Sequence, residues 1–413
     1  MVATLCFISC KKDDNPSVKP QIGGPPLSFN LLEVPLNATE VGLAPTLSWE
    51  SAKNPDAGEV SYDLYLGTEP NPTVLFKGGI NETSFDVQDQ LHLSTDYYWK
   101  VIATDIDGKT SQSPIYKFNT RTLNIPAEPL NPSADFSKRF SHTSAVLNNK
   151  IWVIGGFTPE GRNNEVWSST NGVAWELVAD SAGFVERSNH SSVVFDGKLW
   201  VIAGRTGASE YSNDVWYSEN GKDWELATAS AGFTGRYRHS TVVFDNKLWV
   251  IGGFNQEDLL QKDVWYSTDG IQWELATAST QFSARSGHTS LVFDQKIWVI
   301  GGYDGEYKND IWNSTDGITW ELIRASADFP IRSVHTSTEY NNKLWVIGGG
   351  HDGAKNDIWY STDGIDWNQT PVSDNFPKRY LHSSVVFDNK LWIMGGTSGF
   401  GSSSVREDVW ALD

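Results

Sequence analysis

The chain has 413 residues, 36 glycines, 19 tryptophans and a net charge of −19, a Gly- and Trp-rich composition that favours an all-β protein of more than one domain. The acidic balance argues against nucleic-acid binding, which needs clustered Lys and Arg, and no apolar run is long enough to cross a bilayer as a helix. The only cysteines are Cys6 and Cys10, so the folded part holds no disulfide, thiolate metal site or cysteine nucleophile.

The chain opens with "MVATLCFISCKKDDN", a short apolar run with small Ser9 before Cys10. It resembles the lipobox of Gram-negative lipoproteins, although Phe7 stands where Leu is usual and no basic segment precedes the run. The resemblance implies that residues 1–9 are a signal-peptide remnant and that Cys10 is acylated. The trailing "KKDD" resembles the signal that sends some such lipoproteins to the cell surface; the periplasmic face of the outer membrane is the alternative. Residues 10–26, with Lys, Asp, Pro and Gly, read as a lipidated flexible tether.

Residues 27–122 alternate apolar segments with Gly, Asn and Asp: "PTLSWES", "SYDLYLG", "TDYYWKVIATD", "PIYKFNT". This period-2 patterning predicts a β-sandwich with Trp49 and Trp99 in its core. "LSTDYYWKV" resembles the fibronectin type III pattern within the immunoglobulin-like sandwiches. Leu93 and Tyr97 match its corner, which implies that the Tyr97 hydroxyl bonds to backbone. Such a domain is a spacer or binding module.

From Phe136 one passage recurs six times. An Arg is followed three residues later by a His: Arg139/His142, Arg187/His190, Arg236/His239, Arg285/His288, Arg332/His335 and Arg379/His382. Each pair leads into a strand such as "HSSVVF", a turn, a second strand such as "KLWVIGG", a variable loop, a third such as "DVWYS", and an outer one such as "WEL". A period of 40 to 50 residues with four strands per repeat predicts a propeller. The sixth copy lacks its outer strand, so residues 127–131 are expected to supply it and close the ring. The paired glycines, the aromatic and the widely spaced Trp resemble the kelch repeat. That resemblance implies a six-bladed kelch-type β-propeller over 123–413. "STDGIDW" also resembles the Asp-box turn of sialidase-type propellers, a structural element in either family.

Every Trp falls on a repeated or core position, leaving none in a variable loop to stack on a sugar. The acid before each third strand (Glu165, Asp214, Asp263, Asp310, Asp357, Asp408) also repeats, and reads as a local hydrogen bond or an Arg partner. The ring of Arg139, Arg187, Arg236, Arg285, Arg332 and Arg379 has two readings. One is scaffold, bonded to carbonyls or acids of the adjacent blade; the other is a channel mouth whose guanidinium groups grip an anion such as a sugar carboxylate. The variable loops supply the unequal residues, and loops on a rigid scaffold are where binding usually resides. Phe157, Arg205, Phe254, Tyr303 and His351, with Tyr237 and Tyr380, join the arginines as candidate ligand contacts; Phe140 belongs to the same face.

In galactose oxidase, a kelch-type enzyme, a His at this strand start binds copper. Here no Cys follows Cys10 to form that enzyme's Tyr–Cys cofactor, and no Tyr directly precedes the histidines. A copper radical oxidase is therefore disfavoured; no cofactor and no metal are assigned, with a simpler metal site built from several of the histidines as the alternative. Two functions stay open. One is a cell-envelope lipoprotein displaying the propeller for non-catalytic binding of a glycan or protein partner. The other is a sugar-processing enzyme resembling the N-acetylneuraminate mutarotases, which are also six-bladed.

Overall fold

The computed structural model describes residues 23–88, 91–372, 376–399 and 401–413. The lipoprotein-like leader with Cys10, and nearly all of the tether, lie outside the described residues. The chain divides into two compact units, 1–122 and 123–413.

The first unit carries a six-stranded sheet and a two-stranded one. In the larger, Ala38–Val41 runs parallel to Tyr116–Thr120, followed by Asp96–Asp105, Val60–Gly67 and Leu75–Ile80, with Thr110–Gln112 also on Asp96–Asp105. Thr46–Ser48 pairs with Ser84–Asp86. Alternation turns Leu64, Trp99, Val101 and Phe118 into one core with Leu47 and Trp49. The Tyr97 hydroxyl accepts a hydrogen bond from the His92 amide at 3.1 Å.

The second unit is a ring of six antiparallel sheets. The first, second, fourth and fifth are four-stranded, for example Thr143–Leu147, Lys150–Thr158, Gly161–Ser169 and Glu176–Ala179 in order from the axis outward, and the third adds the short strand Arg236–Tyr237 to the same four. The innermost strands, from Thr143–Leu147 round to Ser383–Phe387, each neighbour the next, and the last neighbours the first. Second strands such as Lys198–Arg205 lie mid-sheet between two other sheets, which is why their text is a continuous apolar run. The outer strands begin with exposed Glu and Leu because one edge meets water.

The sixth sheet has three strands, Ser383–Phe387, Lys390–Met394 and Val409–Leu412. Against the last of these, Asn131 exchanges backbone hydrogen bonds with Val409, and Asn124 with Asp413. Seven residues thus span four on the partner, and Pro126 and Pro129, which lack an N–H, lie in the bulged stretch between.

Neighbouring sheets are also keyed by the hairpin between third and outer strand. Its glycine sits on the second-strand Trp of the preceding sheet: Gly172 on Trp392, Gly221 on Trp152, Gly270 on Trp200, Gly317 on Trp249 and Gly364 on Trp298. A Cβ at Gly270 would lie 2.1 Å from the Trp200 ring.

In the first four sheets the second and third strands run beyond the glycine pair as a ladder, with a bulge at its first residue. Most of the text expected to be loop is therefore hairpin. In the fifth and sixth sheets the second strand stops at Ile347 and Met394; a separate short hairpin of Gly350–His351 on Gly353–Ala354 follows in the fifth, and an irregular loop in the sixth.

Candidate functional site

The repeated arginines are buried, at most 1% exposed. Each lies over a Phe three residues earlier, with the guanidinium carbon 5.2–5.4 Å from the ring centre. Each donates through Nη1 to the carbonyl of the first residue of its own sheet's glycine pair, at 2.7–3.1 Å. Nε donates to the carbonyl two residues earlier at 3.0–3.3 Å, and the repeated acid accepts from the Nη groups. Asp214, Asp263, Asp310, Asp357 and Asp408 bind in two-pronged fashion, and Glu165 accepts one bond from Arg139. The same carboxylates accept from the Trp two residues on, at 2.7–3.0 Å.

Two expectations are corrected here. Arg139, Arg187, Arg236, Arg285, Arg332 and Arg379 do not line a channel mouth, because their donors are taken up inside the protein. Their acids belong to the same sheet rather than the adjacent one; it is the arginine backbone that reaches the preceding sheet, as in Arg187 N–H to Asn163 O and Gly156 N–H to Arg187 O.

The six histidines are buried and tie sheet to sheet. Each Nε2 bonds a hydroxyl at the start of the preceding inner strand at 2.8–3.0 Å, from Thr143–His190 round to Ser383–His142. Burial, then the nearby arginine charge, pushes His142, His239 and His288 down to about 3 and the other three well below 6.5. These are neutral structural groups. Among the described residues no group of three or more His, Cys, Asp or Glu side chains is placed to hold a metal ion.

The two residues between Arg and His divide the work. The first faces the residue after the glycine pair across the strand: Phe140 opposite Phe157, Ser188 opposite Arg205, Tyr237 opposite Phe254, Ser286 opposite Tyr303, Ser333 opposite Gly350, Tyr380 opposite Thr397. The second forms an annulus. Ser141, Asn189, Arg238, Gly287, Val334 and Leu381 all have φ between 50° and 60°. Each donates its N–H to the carbonyl of the equivalent residue in the preceding sheet at 2.8–3.1 Å, closing after six bonds.

Above this annulus opens a cavity of about 580 Å³, lined by both kinds of position, by the short hairpin of the fifth sheet and by the irregular loop of the sixth. Phe140, Phe157, Tyr307, His351, Tyr380 and Val405 form its walls, and Arg238, Val334 and Leu381 its floor. These floor residues also roof a narrow channel of about 150 Å³ between the histidines. Among the described residues Arg238 joins no ion pair; its Nε donates to Asn189 Oδ1 at 3.4 Å. Burial lowers its pKa, the neighbouring Tyr237, Tyr307 and Tyr380 oppose that shift, and Arg205 adds to it. The group stays a cation at any ordinary pH. His351 Nδ1 lies 3.0 Å from Asp352, and its ring meets Tyr307 edge-on at 4.8 Å.

Of the sequence candidates, Phe157, His351 and Tyr380 thus meet in the cavity. Arg205, Tyr237 and Phe254 form a separate stack with Tyr211: Tyr237 lies 5.2 Å from Phe254 and 4.6 Å from Tyr211, and Arg205 is 5.8 Å from both tyrosines. Tyr303 packs on Tyr307 without reaching the cavity. Sequence reasoning missed Arg238 and Tyr307. For Arg238 there was a signal, since it is the one charged residue in a slot otherwise Ser, Asn, Gly, Val or Leu.

Six sheets in a ring, each carrying the Arg–acid–Trp unit and glycine pair, define a kelch-repeat propeller. The model of the KLHDC2/KLHL20/DRC7 Kelch-repeats domain matches residues 103–302, 169–349 and 287–413, and the chain belongs to that family. No curated protein matches the chain. Among solved structures it is similar to YjhT, with a TM-score of 0.57 and 18% identity, over 67% of this chain and 95% of that one. That likeness concerns the fold.

Proposed function

We propose that the chain is a cell-envelope lipoprotein whose six-bladed kelch propeller binds a glycan or protein partner without chemistry, and that the glycan is the better fit. In this reading Cys10 anchors the protein in the outer membrane, facing the cell surface, and residues 10–26 are the tether. Residues 27–122 are a fibronectin type III-like spacer with Tyr97 at its corner, and residues 127–131 close the propeller of 123–413.

The observation that carries the reading is the cavity. Its volume lies within the range of small-molecule sites, and it combines aromatic walls with the Arg238 guanidinium. Among the described residues its lining includes no carboxylate, and His351 is the one histidine in it, so a carboxylate–histidine pair is not assembled inside the cavity. A glycan array with the purified chain is expected to give binding that Tyr380→Ala weakens. Silence on the array together with no protein captured would overturn it.

His351 beside Asp352 at the cavity wall favours a second reading, a proton-moving sugar enzyme of the mutarotase kind. Exchange NMR on anomers of acidic sugars separates the two: the binding reading expects interconversion at the uncatalysed rate.

A further inference from the structure

Three arginines lie near one another, Arg238 in the cavity and Arg205 and Arg162 beside it. Arg238 is on the floor, Arg205 stands beside it over Tyr211 and Tyr237, and Arg162 lies over Phe157 at 5.4 Å. Arg205 is near enough to depress both neighbours, after the larger effect of burial. None of the three joins an ion pair among the described residues, in a chain of net charge −19. Arg205 donates to the Gly207 and Ala208 carbonyls, and Arg162 Nε is buried without a partner. Of the nearby acids, Asp258 accepts from the Tyr211 and Tyr237 hydroxyls, Asp352 faces His351, and the exposed Glu160 and Glu210 make no ion pair with the three arginines among the described residues. Unneutralised like charges side by side are a cost that an anionic ligand removes.

The backbone narrows the class of ligand. The annulus amides bond one another, and the pairs Phe140/Phe157, Ser333/Gly350 and Tyr380/Thr397 exchange theirs. These backbone groups are therefore not open for an extended peptide to join, which favours recognition by ring faces and guanidinium groups.

We propose that the site takes a segment of an anionic polysaccharide, with one acidic group on Arg238 and the following ones on Arg205 and Arg162. This rests on the glycan-binding reading above. Sugar rings would stack on Phe157 and Tyr380 in the cavity, as aromatic faces accept apolar ring surfaces.

The test is calorimetric titration of the full chain with galacturonate monomer, dimer, trimer and hexamer. Sulfated chondroitin oligomers, neutral galactan oligomers and polyglutamate peptides form the comparison arms. Affinity is expected to rise from monomer to trimer and to fall with added salt. Arg238→Met and Arg205→Met should each weaken it about ten- to a hundredfold, as for loss of charged hydrogen bonds. Arg324→Met, on an outer strand, should leave it unchanged. Chondroitin carries glucuronate carboxylate as well as sulfate, so tighter binding of it than of galacturonate of equal length reports a contribution from sulfate. The salt dependence of the unaltered chain keeps the test valid if a variant fails to fold. Neutral oligomers bound equally well, without arginine or salt dependence, would overturn this inference and leave the glycan reading standing. Polyglutamate preferred over every oligosaccharide would overturn it in favour of an acidic protein segment. No binding of any saccharide would overturn both.

Discussion

At the residue scale the repeated Arg and its acid are one buried unit. Burial alone would raise the carboxyl pKa of Asp263; the Arg236 hydrogen bonds and charge outweigh it and hold the group below its usual range. Asp263→Asn keeps the shape and leaves Arg236 buried without a countercharge, which costs about 3–5 kcal/mol. Urea unfolding should register that loss. Glu176→Gln, which removes a long and exposed contact to Lys150, should change stability by less than about 0.5 kcal/mol. Repetition made the Arg–acid unit readable in the sequence as scaffold, but not its direction. Whether an acid belongs to the same sheet or the next depends on how the chain folds back over some 26 residues, which residue types do not encode. Arg238 was hidden for a related reason. A left-handed φ turns its slot toward the axis, and a side chain in a repeated slot shows itself only by differing from its five counterparts.

At the element scale the period, the strand order and the missing outer strand were all legible, because each strand carries its burial pattern in plain text. The ladders beyond the glycine pairs were not. Many of their residues are polar and variable like loop residues, and what they share from sheet to sheet is the backbone pairing rather than a repeated residue type. The hairpin glycines show what the elements add in packing. Gly197 and Gly270 have nearly equal φ, 68° and 73°, but only the second touches a neighbouring sheet. Gly197→Ala should cost about 1–2 kcal/mol from the left-handed backbone. Gly270→Ala should cost about 1–3 kcal/mol more, because its Cβ strikes Trp200. Equal shifts in the unfolding midpoint of the two variants would mean that the Trp–Gly contact does not bind sheet to sheet.

At the scale of the whole molecule, the ring stores an acid sensitivity. Its six histidines are neutral when folded and take up protons near 6.5 once unfolded. Below pH 6.5 the unfolded chain therefore binds more protons, and stability falls as pH falls. Each histidine loses about 1.4 kcal/mol per pH unit. For His142, His239 and His288 the loss continues to about pH 3. Summed over the ring, one to two units of acidification reach the net stability of an ordinary domain, about 5–15 kcal/mol. Calorimetry across pH should find the propeller unfolding near pH 5, above the carboxylate range, with uptake of about six protons. A melting temperature flat down to pH 4 would contradict the neutral ring. The sequence showed six histidines in register; that they would be proton-free followed only from their burial between sheets.

The six hydrogen bonds of the annulus all point the same way around the axis. Their dipoles circulate head to tail and cancel, so the floor of the cavity contributes no field of its own along the axis. What a ligand meets there is decided by six side chains hung from a fixed hoop, and any one can be exchanged without breaking the hoop. Serine, asparagine, glycine, valine and leucine already occupy five of the places, so the sixth, Arg238, is a replaceable fitting: new specificities are one substitution away, while the propeller that carries them stays as it is.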